Sequence, residues 1–183
     1  MKTKTLLVLL VTFTIVKMAY TQPPNAAINK EEMKKLSAWI GQWKGEGSMQ
    51  MGPGEPKKST VDERIEMKLD GTILVVEGIG KNTDPATKQE MVVHNAFGII
   101  SYDVASKSYK FKTYTKEGRS ADTYFNIIGE NKYEWGFDIP SGGKMKYTIT
   151  LDPVKKTWNE IGEFSRDGAI WMKSFEMNLV KVN

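Results

Sequence analysis

The sequence predicts an all-β protein, an antiparallel up-and-down β-barrel of about ten strands preceded by one short N-terminal helix. Three observations carry this. From Gly41 onward, apolar residues recur at every second position, the period of a strand with one buried face. Turn signals such as Asp70-Gly71, Glu117-Gly118, Pro140-Ser141-Gly142-Gly143 and Arg166-Asp167-Gly168 interrupt these runs every 8 to 14 residues. The connections are short, as a meander of hairpins requires, and such a meander loses its unpaired edges only when it closes on itself.

The elements follow in order. Asn29 is a plausible helix cap, with Glu32 three residues on and Glu31 beside it at the positive helix N-terminus. Met33, Leu36 and Ile40 then share one face, and Gly41 ends the run. A first strand spans Trp43 to Met51. Thr60 to Leu69 sets Val61, Ile65, Met67 and Leu69 against Thr60, Asp62, Arg64, Glu66 and Lys68. Asp70-Gly71 is a tight hairpin signal leading into Thr72 to Gly80. Lys81 to Gln89 is a loop, and Glu90 to Tyr102, Ser108 to Lys116 and Arg119 to Ile128 are the next strands. Tyr133, Trp135, Phe137 and Ile139 share a face, as do Met145, Tyr147, Ile149 and Leu151. Trp158 to Ser165 and Ala169 to Val182 complete the set. No linker, repeat or low-complexity run divides the chain, so residues 29–183 read as one domain after a flexible lead at 22–28.

Length fits this design: 183 residues without cysteine leave stability to a packed core, and exclude disulfides, thiol nucleophiles and thiolate metal sites. The formal charge of +4 and a pI near 9.0 suggest an anionic partner, but the charge is unevenly placed. Residues 1–21 read as a secretory signal: Lys2 and Lys4, an apolar stretch from Leu6 to Val16, then small Ala19 and Thr21 before a cut at Gln22. The apolar stretch is shorter than the roughly 20 residues that span a bilayer. Removing Lys2, Lys4 and Lys17 leaves 23 basic against 22 acidic side chains, a net of +1. Phosphate neutralisation needs a clear basic excess, so nucleic acid is not an expected partner. The expectation is a soluble exported protein, periplasmic or extracellular, without a membrane span and with its oligomeric state open. The lysines Lys110, Lys112, Lys116, Lys144 and Lys146 alternate with aromatics and therefore occupy the opposite, solvated face.

Gly41-Gln42-Trp43-Lys44-Gly45-Glu46-Gly47 resembles the G-x-W-x-G-x-G opening of lipocalin-like (calycin) barrels. The resemblance implies that Trp43 packs across a barrel floor. A second block from His94 to Tyr109, with Gly98, Ser101-Tyr102-Asp103 and Ser108-Tyr109, is similar to a family of bacterial exported lipocalin-like domains of unknown function. The nitrobindin branch shares the Gly-Trp-Gly opening and binds haem through a histidine near its C-terminus. Trp158 to Asn183 holds no histidine, so no haem ligand is carried over and no cofactor is expected. The glycines have a simpler role available as well, relieving crowding where a first strand bends.

Candidate site residues come from polar groups on apolar strand faces. Glu63 lies between Val61 and Ile65, Glu160 between Trp158 and Gly162, and Lys173 between Trp171 and Phe175. Charges turned inward are costly without partners, and a bore holding a small ligand keeps few polar groups among aromatics. The expected lining is Trp43, Trp135, Tyr147, Trp158 and Trp171, with Glu63, Glu160, Lys173 and His94 as anchors. The alternative is that bulges turn these charges to the rim. His94 is the one histidine, too few for a multi-histidine metal site, and there is no G-x-S-x-G elbow or phosphate loop. The leading functional expectation is binding or carriage of a small, largely apolar ligand. A hydrolase or isomerase using Glu63, Glu160 or His94, and a solid barrel that works through its outer surface in the cell envelope, are the other two.

Overall fold

The computed structural model describes residues 24–50 and 52–182. The expected signal segment lies outside them. The helix α1 (Pro24–Lys34) and a 3-10 turn (Ser37–Trp39) precede ten strands: β1 (Gly41–Met49), β2 (Lys57–Lys68), β3 (Ile73–Thr83), β4 (Glu90–Asp103) and β5 (Ser108–Thr115), then β6 (Ser120–Gly129), β7 (Lys132–Asp138), β8 (Lys144–Asp152), β9 (Thr157–Ser165) and β10 (Met172–Lys181). Each strand pairs antiparallel with its neighbour in sequence, and β1 pairs with β10 to close the ring. The predicted fold class is observed. Among the described residues no helix is long and apolar enough to cross a membrane.

Two local expectations are corrected. The helix begins at Pro24, so Asn29 is an interior residue and 24–28, expected in the lead, are helical. Proline is well suited to a first helical position, and Ala26 and Ala27 are strong helix formers. Asn29 instead anchors the helix, its Nδ2 donating to the Tyr102 carbonyl at 2.7 Å. The Asp70-Gly71 hairpin is a longer 3-10 turn with positive φ at Leu69 (47°), Asp70 (56°) and Gly71 (90°).

Alternation decides what fills the ring. Odd residues of β1, β2 and β5 to β8 face inward, as do even residues of β3, β4 and β9. At the end covered by α1 the interior is solid. Met33, Leu36, Trp39, Trp43, Tyr133, Phe125 and Trp158 are all buried there. Trp158 meets Trp39 and Trp43 edge-on at 5.1 and 5.8 Å between centroids, and Trp43 Nε1 donates to the Trp39 carbonyl at 2.9 Å. Tyr109 and Tyr133 hydroxyls tie the helix down by donating to the Glu32 and Lys35 carbonyls at 2.9 and 3.3 Å.

Candidate functional site: an acidic, aromatic bore with a split wall

Glu63 and Glu160 both point inward. Glu63, on β2, stands opposite Trp43 of β1 and Gly78 of β3 in the strand register. A Cβ on Gly78 would lie 2.7 Å from Glu63 Oε2, so the missing side chain is what admits the carboxylate. Glu63 is only 8% exposed and forms no hydrogen bond or ion pair with another described residue. Glu160, on β9 and 5% exposed, accepts a hydrogen bond from Trp135 Nε1 at 3.0 Å. Trp135 (β7) stacks on Tyr147 (β8) at 4.2 Å and 10°. Phe137 packs on both, and Phe175 of β10 meets Tyr147 edge-on at 5.9 Å. Trp158 Nε1 is enclosed and closes no hydrogen bond of full geometry.

The electrostatics follow from this placement. Burial pushes Glu160 up to about 7, while the indole N–H groups of Trp135 and Trp158 act in the opposite direction. Burial also raises Glu63 well above the usual carboxylate range, and the charges of Glu160 and Asp62 raise it further. Tyr147 is raised by burial and by the Glu160 charge. The two glutamates are therefore one coupled acidic pair set in aromatic walls.

The wall beside them is split. β5 and β6 pair from Tyr109 opposite Phe125 to Tyr114 opposite Ser120, and β7 and β8 pair as far as Asp138 opposite Lys144. Between β6 and β7, however, pairing stops at Tyr124 opposite Gly136. Past that rung the strands part, and a 520 Å³ cleft opens to solvent, lined by Ala121, Asp122, Tyr124, Gly136, Phe137 and Asp138. Its volume falls in the range of small-molecule sites, roughly 300 to 1,000 Å³. Phe137 links it to the interior, since the same ring packs on Trp135, the donor to Glu160.

The other candidate residues separate. Trp43 and Trp158 belong to the solid floor. His94 sits at the open mouth, opposite Gly80 and exposed. Lys173 is on the outside: a bulge between Lys173 and Phe175 sets it opposite Glu163, and it pairs with Glu176. Trp171 is also outside, its ring under Lys146 Nζ at 4.4 Å and its Nε1 donating to the Gly168 carbonyl at 3.1 Å. The lysine rows lie on the outer face, with Lys112, Lys144 and Lys146 paired to Asp122, Asp138 and Glu163. Residues the sequence reading passed over are Phe137, Phe175 and the inward glycines Gly78 and Gly162. Their signal was a glycine at an inward position in mid-strand: a Cβ on Gly162 would meet the Tyr147 ring at 2.7 Å. Among the described residues no cluster of three or more metal-ligating side chains exists.

Fold and site together define a class: a closed ten-stranded barrel, plugged by a helix at one end, acidic and aromatic inside the other half. Residues 29–116, from α1 through β5, match a family described as "Protein of unknown function (DUF1579)". No curated protein matches the chain.

Proposed function

We propose that the chain is an exported binding or carrier protein that holds a small, largely apolar molecule in the half of the barrel away from the helix. The observation that carries this reading is the pair Glu63 and Glu160, buried among Trp135, Tyr147, Phe137 and Phe175 beside a cleft in the wall. Carboxyls are not buried for stability, because an uncompensated charge costs several kcal/mol and a well-packed apolar side chain would serve better. The lipocalin-like relationship is part of the same proposal, supported by ring closure and by Trp43 lying across the helix-plugged floor.

A second reading, acid–base catalysis, is favoured by one fact: Glu160 at about 7 is poised for proton transfer near neutral pH. Against it, His94 is no contributor to the Glu160 environment and stands exposed at the mouth. Without a second oriented group, binding is the better account.

Native mass spectrometry of gently purified protein tests it. The expected spectrum contains the chain plus one small molecule lost on collisional heating, and Ala121→Trp, which fills the cleft, is expected to deplete that species. A bare chain in every preparation, with no difference between parent and variant, removes the reading.

A further inference from the structure

We propose that the molecule held in this barrel is an organic cation, a protonated amine or quaternary ammonium on a compact apolar body. The inference rests on the interior-binding reading above and adds the charge of the ligand. Its first ground is Glu63, more than nine-tenths buried and without a hydrogen-bond or ion-pair partner among the described residues. Its second is the chemistry around the pair. The side chains that act on Glu160 are Trp135 and Trp158, those that act on Glu63 are Glu160 and Asp62, and Tyr147 feels Glu160 in turn. No lysine, arginine or histidine is among them. Lys173, the cation expected nearby, faces outward.

The described residues therefore supply two acidic groups and no counter-charge. An anionic ligand would bring a further negative charge to a buried acidic pair, and a neutral one would leave the cost of burying the carboxyls unrelieved. A monocation offsets the charge of an ionised carboxylate in the pair. Aromatic side chains suit the same guest, because ring faces attract cations and ring area buries its apolar part. The cleft does not select: Asp122 and Asp138 on its rim are paired with Lys112 and Lys144. Selection for charge belongs to the interior.

The test uses the purified chain at pH 8 and calorimetric or tryptophan-fluorescence titration with four probes: hexylammonium, benzyltrimethylammonium, hexan-1-ol and hexanoate. The expected order is both ammonium probes well ahead of hexanol, with hexanoate not binding. Glu63→Gln and Glu160→Gln are each expected to weaken the ammonium probes about tenfold or more, and hexanol by little. Both variants keep side-chain volume, and their melting curves at pH 8 report whether the fold is intact. For benzyltrimethylammonium, which cannot lose a proton, affinity is expected to fall as pH drops through about 7, where Glu160 takes up its proton. Equal binding of hexanol and hexylammonium, or glutamine variants with parental affinity, would overturn the cation while leaving interior binding in place. Silence from all four probes, together with a bare chain in native mass spectra, would overturn both.

Discussion

Gly45→Ala is expected to destabilise the barrel by about 3 kcal/mol or more, at the upper end of overpacking costs, whereas Gly47→Ala is expected to cost about 1 kcal/mol or less. The two glycines share one motif but not one environment. A Cβ on Gly45 would overlap the Asn178 carbonyl oxygen and lie 2.9 Å from Leu179 Cα, both backbone atoms of β10. That is the β1–β10 seam, where Gly45 stands opposite Leu179, so the clash falls where the ring closes. A Cβ on Gly47 meets Val61 Cγ2 at 3.2 Å and Ser59 Oγ at 3.4 Å, side-chain atoms that can give way. Urea unfolding followed by circular dichroism measures both. Equal midpoints for the two variants would show that the first strand does not need its close approach to β10.

Glu160 gives the second large effect, and its sign is opposite to that of an ordinary ion-paired carboxylate. Its folded-state pKa of about 7 lies above the ordinary 4.5. Between those values the native protein keeps a proton that the unfolded chain has released. Stability therefore falls as pH rises through this window and levels off above it. A shift of that size is worth about 3 kcal/mol, and the raised pKa of Glu63 acts in the same direction. Glu160→Gln, which retains an oxygen for Trp135 Nε1, is expected to match the parent at pH 4 and to exceed its stability at pH 8 by up to about that amount. Chemical denaturation at the two pH values reads the difference. A variant less stable than the parent at pH 8 would mean that the carboxylate is compensated in the folded state.

Ring, strand count and both interior carboxyls were legible because they depend on alternation alone. Glu63 lies on the parity of Val61 and Ile65, and Glu160 on that of Trp158 and Gly162, so once those strands bury one face the carboxyls must enter with it. Lys173 followed the same rule and broke it. The bulge before Phe175 inserts one residue, which reverses every side chain on its far side, and no residue type there announces it. Trp171 precedes β10, where alternation has no meaning. The split between β6 and β7 was invisible for a different reason: Ala121 to Phe125 and Trp135 to Phe137 keep a strand pattern whether or not they pair with each other, since each has a partner on its other side. The helix start was lost between two valid signals, a capping pattern at Asn29 and a proline at Pro24. Contacts made by Asn29 with Tyr102, a residue of β4, settle the matter in three dimensions only.

Two carboxyls without a cationic partner among the described residues face one buried interior. Carbon-13 NMR titration of the Glu63 and Glu160 side-chain carboxyls reads this placement. A midpoint of about 7 is expected for Glu160 and one well above 4.5 for Glu63, each curve perturbed by the other's titration. Two independent midpoints at the ordinary value of 4.5 would contradict it, and with it the acidic site in the barrel.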